Sequence, residues 1–301
     1  MKGKFFIVIC IIFLVISCKN GRRSTQYVFP ENDSIPLSEA ERLSPEAIAD
    51  IAKNIASPVE IANLLQTLNV PFSQQYLASI DANKESSNFN KALKLGVLGA
   101  DLGYLNMYEK TSSSLDILAA IRKYAEDLKV GHFFDFELLK RLSQNKSDLD
   151  SLLYMSIDFY EKIDFYLREN NMGQLSSLMI IGVWLEGMHF ATQVITKFPN
   201  NILRDRIGEQ KIILNDLLLL VAPYRNNSQE FNALCNDLYM LKDSYKDVRI
   251  TYTQGEPVAT EKNGGLVITQ TETSVVEMTE AQLAGIIEIT NEIRNKLIFN
   301  D

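Results

Sequence analysis

The sequence predicts a mainly α-helical protein, with a multi-helix antiparallel bundle or a short α-solenoid of helical hairpins followed by a C-terminal β-hairpin and a final helix. Apolar residues recur at spacings of three and four, as at Ile117, Ile121, Tyr124 and Leu128. This period places them on one face of a helix. The connections between such segments are short, about two to eight residues, so successive helices should be antiparallel neighbours.

The chain begins with a segment typical of a processing signal. Lys2 and Lys4 precede an unbroken apolar run from Phe5 to Ile16, and Ser17 and Cys18 close the run. A membrane-spanning helix needs about twenty apolar residues, so this run is too short for a transmembrane anchor. The cysteine at the end of the apolar run also argues against an ordinary secretory peptide.

This pattern resembles the lipobox of bacterial lipoproteins. The resemblance implies that residues 1–17 are removed by cleavage after Ser17 and that Cys18 receives a covalent diacylglyceryl group. Membrane lipid is then the first expected partner, and no cofactor other than this lipid is predicted. Residues 18–43 contain glycine, proline, serine and asparagine without sustained periodicity. They predict a flexible tether between the lipid and the folded body.

The prediction of where the protein is located rests on the residues that follow Cys18. By resemblance to lipoprotein sorting, Lys19 lacks the aspartate of inner-membrane retention, which implies the outer membrane. The segment 19–23 is basic, whereas surface-exported lipoproteins of Bacteroidota carry acidic residues there. We therefore expect a lipid-anchored protein that faces the periplasm. Segments 99–105 and 184–193 also resemble mostly helical lipoproteins of Bacteroidota, a resemblance to which no activity is attached.

Residues 44–247 are predicted to form the helical domain. Serine–proline pairs at Ser44 and Ser57 predict two helix starts, and a short helix is expected near 73–80. Long helices are predicted over 88–108, 113–129, 147–170, 174–198 and 201–221, with shorter ones over 134–144 and 228–245.

Residues 248–301 follow a different pattern. Extended runs rich in β-branched residues flank Asn263 and Gly264, which predicts a β-hairpin with a tight turn. A capping box from Thr279 to Gln282 predicts the start of the final helix. Two strands alone are marginally stable, so the ribbon should pack on the helical domain or on a partner. The candidate interface residues are Val248, Tyr252, Val267 and Val275.

Composition excludes several classes of function. The formal net charge is −8, and no stripe of lysine and arginine is present, so nucleic acid is not expected as a partner. After processing, Cys235 is the only thiol besides the lipidated Cys18, which rules out an internal disulfide. The chain has two histidines, which leaves few members for a histidine-dependent nucleophilic centre.

The best candidate for chemistry is Glu186 with His189, a Glu-x-x-His pair on an apolar helix. Helix-bundle di-metal proteins use this spacing twice, and the second copy is missing here. A ligand or metal site in the helical core remains one hypothesis. The favoured alternative is a polar stripe facing solvent or a buried Glu–His pair. On another helix, Gly96 lies on a glycine face suited to close helix packing, and Asp101 is expected to be exposed or ion-paired.

The sequence therefore predicts a membrane-anchored cell-envelope lipoprotein that acts as a non-enzymatic binding or scaffolding module. The expected protein partner is another envelope protein, bound through the strand ribbon by added strand pairing. Two alternatives stay open. One is a helical-core ligand or metal-binding protein that uses Glu186 and His189, and the other is an enzyme with an unrecognised carboxylate pair.

We predict that Cys18→Ala moves the protein from the membrane fraction to the soluble fraction and abolishes incorporation of labelled palmitate. Each buried methylene of an acyl chain contributes about 0.8 kcal/mol to membrane attachment. Cys10→Ala is the matched control, because Cys10 lies in the segment expected to be removed. A labelled, membrane-bound Cys18→Ala protein would contradict the prediction.

Overall fold

The structure is a computed structural model that describes residues 26–28, 60–80, 87–143, 149–262 and 265–299. Within the described strands and helices, the side chains of 26–28, 60, 142–143, 149–157, 160, 254–262, 265–273 and 299 are not described. The predicted signal segment, Cys18, the helix start at Ser44 and the turn at Asn263 and Gly264 therefore lie outside the described residues. Those parts of the sequence analysis stay predictions.

The described residues are mainly helical, as predicted. The helices are α1 (Glu60–Thr67), α2 (Asn88–Met107), α3 (Thr111–Asp127), α4 (Phe136–Ser143), α5 (Leu149–Glu169), α6 (Gly173–Lys197), α7 (Asn201–Val221), α8 (Gln229–Ser244) and α9 (Glu280–Phe299). The strands are β1 (Gln26–Val28), β2 (Arg249–Lys262) and β3 (Gly265–Glu277). The predicted long helices begin and end within two residues of those observed.

Helix starts follow the capping signals in the sequence. The Ser87 and Ser228 side chains accept hydrogen bonds from the backbone N–H groups of Asn90 and Phe231 at the starts of α2 and α8. The capping box of α9 is confirmed. The Thr279 N–H donates to Gln282 Oε1 at 2.7 Å, and the Gln282 N–H donates to Thr279 Oγ1 at 3.2 Å.

The short helix predicted over 73–80 is wrong. Only a 3₁₀ turn, Gln74–Tyr76, forms there. Side chains of α2 accept hydrogen bonds from backbone N–H groups of this segment, and one of these donors, the N–H of Ala78, would pair with the carbonyl oxygen of Gln74 in a helix. The Ser73 N–H donates to the Tyr104 hydroxyl at 3.0 Å, and the Ala78 N–H donates to an Asp101 carboxyl oxygen at 3.1 Å. Residues 70–80 therefore form a connecting segment that runs along α2, and we call it the strap.

The helical body is built around α6, which packs against α1, α2, α5, α7 and α9. Contacts with helices distant in sequence define a bundle, because each unit of a solenoid contacts only its neighbours. Among the described helices, α6 alone is long and apolar enough to cross a membrane. However, 89% of its most apolar window is buried inside the structure. This helix is thus the centre of the core.

Helices α2 and α6 pack closely because a glycine lies on each side of their contact. A Cβ atom built on Gly96 would overlap the Met179 carbonyl oxygen, and one built on Gly182 would overlap the Leu93 carbonyl oxygen. Further along, the rings of Tyr104 and Phe190 stack with centroids 4.7 Å apart. The two helices therefore run in the same direction with their backbones in contact.

The strands form one sheet in the order β1–β2–β3. The predicted hairpin arms are confirmed as an antiparallel pair of 14 and 13 residues. Most of this ribbon, residues 252–274, belongs to a compact unit with Gln26 and Tyr27 of β1. Residues 275–299, including α9, belong to the helical unit instead, where α9 packs against α6 and α8.

We predict that Gly96→Ala and Gly182→Ala each lower the free energy of unfolding by about 2 kcal/mol, because a Cβ would force two helix backbones apart. Helix propensity alone would change the free energy of unfolding in the opposite direction, because alanine is favoured over glycine in a helix by about 1 kcal/mol. The measurement is chemical denaturation followed by circular dichroism.

Gly285→Ala is the matched control. No atom lies within 4 Å of a Cβ built on Gly285 of α9, so propensity alone should act and this variant should be slightly stabilised. Equal effects at Gly182 and Gly285 would show that α2 and α6 do not meet through these glycines.

Candidate functional site

A buried ion pair joins α6 to α9. Arg294 donates from Nε to Glu186 Oε2 at 2.7 Å and from Nη2 to Glu186 Oε1 at 2.6 Å. Glu186 is fully buried, and the Arg294 side chain is 4% exposed. Arg294 Nη2 also lies 3.4 Å from the carbonyl oxygen of Tyr76 in the strap. The bidentate ion pair fixes α9 against the central helix α6, and the contact with Tyr76 positions the strap.

A second buried carboxyl, Asp101 of α2, lies beside this ion pair. One of its oxygens accepts the Ala78 N–H, and the other has no hydrogen-bond partner among the described residues. Burial, and then the negative charge of Glu186, raise the pKa of Asp101 well above its usual value. The positive charges of Arg294 and Lys94 act in the opposite direction.

The expectation that Asp101 would be exposed or ion-paired is therefore wrong. Asp101 lies on a surface of α2 that the strap covers, and it is fully buried there. Its carboxyl group takes up a backbone N–H of the strap. Desolvation shifts the ionisation of this carboxyl group towards the protonated form.

His189 lies one turn after Glu186 on α6 and contacts a different residue of α9. Its Nδ1 is 3.4 Å from Asn291 Oδ1, which also accepts a hydrogen bond from Gln193 Nε2 at 3.0 Å. Burial, and then the positive charge of Arg294, lower the pKa of His189 to about 3. The imidazole is thus neutral at physiological pH.

The structure therefore does not bring Glu186 and His189 together as a pair. The solvent-facing stripe is wrong because both residues are buried, and the buried Glu–His pair is wrong because Glu186 binds Arg294. Across the described ranges, no group of three histidine, cysteine, aspartate or glutamate residues is arranged to hold a metal ion. Both Glu186 oxygens already accept hydrogen bonds from a guanidinium group. The ligand or metal hypothesis stays a prediction without support from this geometry.

Sequence reasoning missed Arg294, although a signal for it exists. In α9 the buried positions include Ile286, Thr290 and Arg294, which are spaced by four residues and share one helix face. A single cation within such an apolar face indicates a buried acidic partner, since charged residues are seldom buried without one. The identity of the partner depends on tertiary structure.

Aromatic side chains of α2 hold the strap in place. The Tyr108 hydroxyl donates to the Val70 carbonyl oxygen at 2.8 Å, and Phe72 stacks on Tyr104 with ring centroids 5.5 Å apart. The Lys197 ammonium group lies 4.9 Å from the ring centroid of Tyr76. These rings therefore serve packing and hydrogen bonding within the body.

The predicted interface residues fall in different environments. Val248 is 1% exposed and packs in the hydrophobic core, so it is corrected from an interface residue to a core residue. Tyr252 is partly exposed, and Val275 is 57% exposed. Val267 lies on β3, and its side chain is outside the description. The residues that suit a partner therefore lie on the ribbon beyond Val248.

No family model, no curated protein and no solved structure matches this chain. The chemistry must therefore be judged from the residues alone. The core cluster can keep a proton on Asp101, hold a neutral imidazole at His189 and fix α9 through Arg294. These properties describe a structural centre in which the polar groups bind one another.

We predict that Asp101→Asn is more stable than the parent chain at pH 7 and that this difference shrinks as the pH falls towards 4. Because the folded pKa is raised, the parent chain loses stability as the pH rises from the unfolded pKa to the folded pKa, by up to about 1.4 kcal/mol per pH unit. Asparagine cannot ionise and still offers an oxygen to the Ala78 N–H. The measurement is urea denaturation at several pH values.

Asp101→Ala separates charge from hydrogen bonding. It removes the acceptor for the Ala78 N–H and should cost about 1–3 kcal/mol when the pH is low enough to protonate the parent carboxyl. Parallel stability curves for the parent chain and Asp101→Asn between pH 4 and pH 7 would mean that burial does not alter the ionisation of Asp101.

Proposed function

We propose that this protein is a lipid-anchored envelope protein at the periplasmic face of the outer membrane, where it acts as a non-enzymatic binding or scaffolding module. The strand ribbon of β2 and β3 is its binding element. The observation that carries the proposal is the position of β3 at the edge of the described sheet. Among the described strands, β3 has β2 as its single neighbour.

A free strand edge supports binding because its outward N–H and C=O groups can pair with another strand. The β3 edge extends over 13 residues, which is longer than an ordinary strand of about five or six residues. An exposed apolar residue, Val275, lies near its end. Such an edge combines main-chain hydrogen bonding with side-chain contacts, the two elements of recognition by strand addition.

The helical body supports a structural role. Glu186, which is fully buried, is committed to Arg294. A second acid, Asp164, receives two hydrogen bonds from Arg168 Nε at 2.8 and 2.9 Å and another from Ser176. Acidic groups bound in this way fix helices against each other, and they are poorly placed to take a substrate proton.

The proposed attachment rests on the sequence pattern at Cys18, with the charged start and apolar run that precede it. A tethered protein whose surface carries a pairing edge suits the capture or alignment of a neighbouring envelope protein. A binding or scaffolding role of this kind does not require a catalytic residue.

We predict that replacing residues 255–273 with a short glycine–serine loop abolishes the recovery of partner proteins after cross-linking in intact cells. The helical circular dichroism signal should remain, because the helices lie outside this segment. The measurement is quantitative mass spectrometry of cross-linked material purified with the parent and the shortened chain.

Phe165→Ser is the matched control. Phe165 of α5 is 69% exposed, so this change removes an exposed apolar side chain from the helical body and leaves the ribbon intact. Partner recovery should match the parent chain. Unchanged recovery with the shortened chain would show that the ribbon is not the binding element.

A further inference from the structure

We propose that the corner between α6 and α7, residues 196–202, rests in the headgroup layer of the bilayer that carries the anchor. This inference goes beyond strand addition at the ribbon, and it rests on the lipid attachment at Cys18 proposed above. It assigns to the chain a second membrane contact, made by the helical body itself. The occupant of the corner is a lipid surface that contains anionic headgroups.

The corner exposes two large apolar side chains. Phe198, which follows the last residue of α6, is 44% exposed, and Ile202 in the first turn of α7 is 59% exposed. A single exposed apolar residue is common on protein surfaces and needs no explanation. These two lie four positions apart, whereas the other exposed large apolar residues in the described part of the chain occur singly along the sequence.

Hydrogen bonds hold the backbone at both exposed residues. The Phe198 N–H donates to the Val194 carbonyl oxygen at 2.7 Å, and the Asn200 side chain accepts a hydrogen bond from the Ile202 N–H at 2.9 Å. Pro199 lies between them and has a restricted φ angle. The corner therefore presents its apolar side chains from an ordered backbone, so that little further freedom is lost on contact with a lipid surface.

The charges of the corner suit anionic headgroups. The chain as a whole is acidic, with 38 acidic residues and a net charge of −8, yet residues 187–204 contain no aspartate or glutamate. The stretch ends at Asp205, which is only partly exposed. Lys197 within the corner is exposed. Anionic lipid attracts such a cation and repels acidic surfaces, so the corner is a part of this acidic protein that can approach the bilayer.

The elements beside the corner add little negative charge. On one side, the Lys197 ammonium group lies 4.9 Å from the ring centroid of Tyr76 in the strap, and residues 70–80 of the strap contain no charged residue. On the other side, Glu280 of α9 is an acid, but its carboxylate lies 3.2 Å from Arg204 Nη2. The charge of Glu280 is therefore offset by a neighbouring guanidinium group.

A weak contact at the corner is sufficient for an anchored protein. Two apolar side chains and a lysine would hold an unattached protein only weakly at a membrane. The tether predicted over residues 18–43 would span about 30 Å as a random coil. A short tether gives an effective concentration of about millimolar, at which a weak contact is populated. The corner would thereby determine which side of the helical body faces the bilayer.

Tryptophan fluorescence tests the contact, because the chain has a single tryptophan, and this residue, Trp184, is 6% exposed. The full lipidated chain with Phe198→Trp is reconstituted in vesicles of phosphatidylethanolamine and phosphatidylglycerol, with and without brominated acyl chains. The emission added by Phe198→Trp should shift to shorter wavelength and should be quenched by the brominated lipid. Phe165→Trp on α5 is the matched control, since Phe165 is 69% exposed, and its added emission should be neither shifted nor quenched.

Charge reversal tests the class of lipid. Lys197→Glu in the Phe198→Trp chain should remove most of the quenching, as should vesicles of phosphatidylcholine alone. Lys123→Glu changes the net charge equally at an exposed position of α3, and it should leave the quenching intact. Helical circular dichroism of each variant confirms folding. Equal quenching with Lys197→Glu and Lys123→Glu would overturn the preference for anionic headgroups.

Equal quenching of Phe198→Trp and Phe165→Trp, or quenching of neither, would overturn the membrane contact. A blue shift without lipid quenching would also overturn it, because a protein surface would then cover the corner. Flotation of the same vesicles separates this inference from the proposed function. If the protein floats with the vesicles while Phe198→Trp stays unquenched, the corner contact is wrong and the proposed attachment stands. If the protein does not float, the attachment and the corner contact both fail.

Discussion

The backbone contact between α2 and α6 is the constraint on which the rest of the body depends. Gly96 and Gly182 allow each helix to lie against a carbonyl group of the other, and the two helices run in the same direction from that point. Asp101 follows the first glycine by five residues, and Glu186 follows the second by four. The crossing therefore places two carboxyl groups on neighbouring helices within electrostatic reach of each other. Larger residues at the crossing would separate the helices and the acids together.

The two acids require a cation, and α9 supplies it. Burial of an ion pair gains little stability over an apolar core, yet removal of one partner costs about 3–5 kcal/mol. The Glu186–Arg294 pair therefore specifies how α9 docks more than it strengthens the fold. Arg294 also meets the carbonyl of Tyr76, so the same guanidinium group positions the strap. One oxygen of Asp101 has no hydrogen-bond partner among the described residues, and burial together with the charge of Glu186 raises the pKa of Asp101, which opposes a second negative charge in the core.

The sequence was sufficient for features that depend on local spacing. The bounds of α7, the capping box of α9 and the two arms of the hairpin follow from periods and turn residues within a few positions of each other. Spacing could not reveal the Glu186–Arg294 contact, because these residues are 108 positions apart. It also misjudged residues 73–80, where backbone N–H groups donate hydrogen bonds to Tyr104 and Asp101 of α2 and an α-helix does not form. A short stretch of sequence can indicate that Arg294 is buried, but it cannot identify a partner that lies far away in the chain.

Anchoring and strand pairing reinforce each other in the proposed arrangement. Pairing of the β3 edge with a strand of another protein is weak in dilute solution, because binding must offset the lost freedom of two separate molecules. A lipid on Cys18 would confine this protein to the surface on which its proposed envelope partner lies, and confinement raises their effective concentration. The edge could then bind its partner without a large apolar interface. The same edge on an unattached protein would be an aggregation risk, which proteins commonly reduce with lysine. Attachment at Cys18 is therefore what would make strand addition at β3 usable.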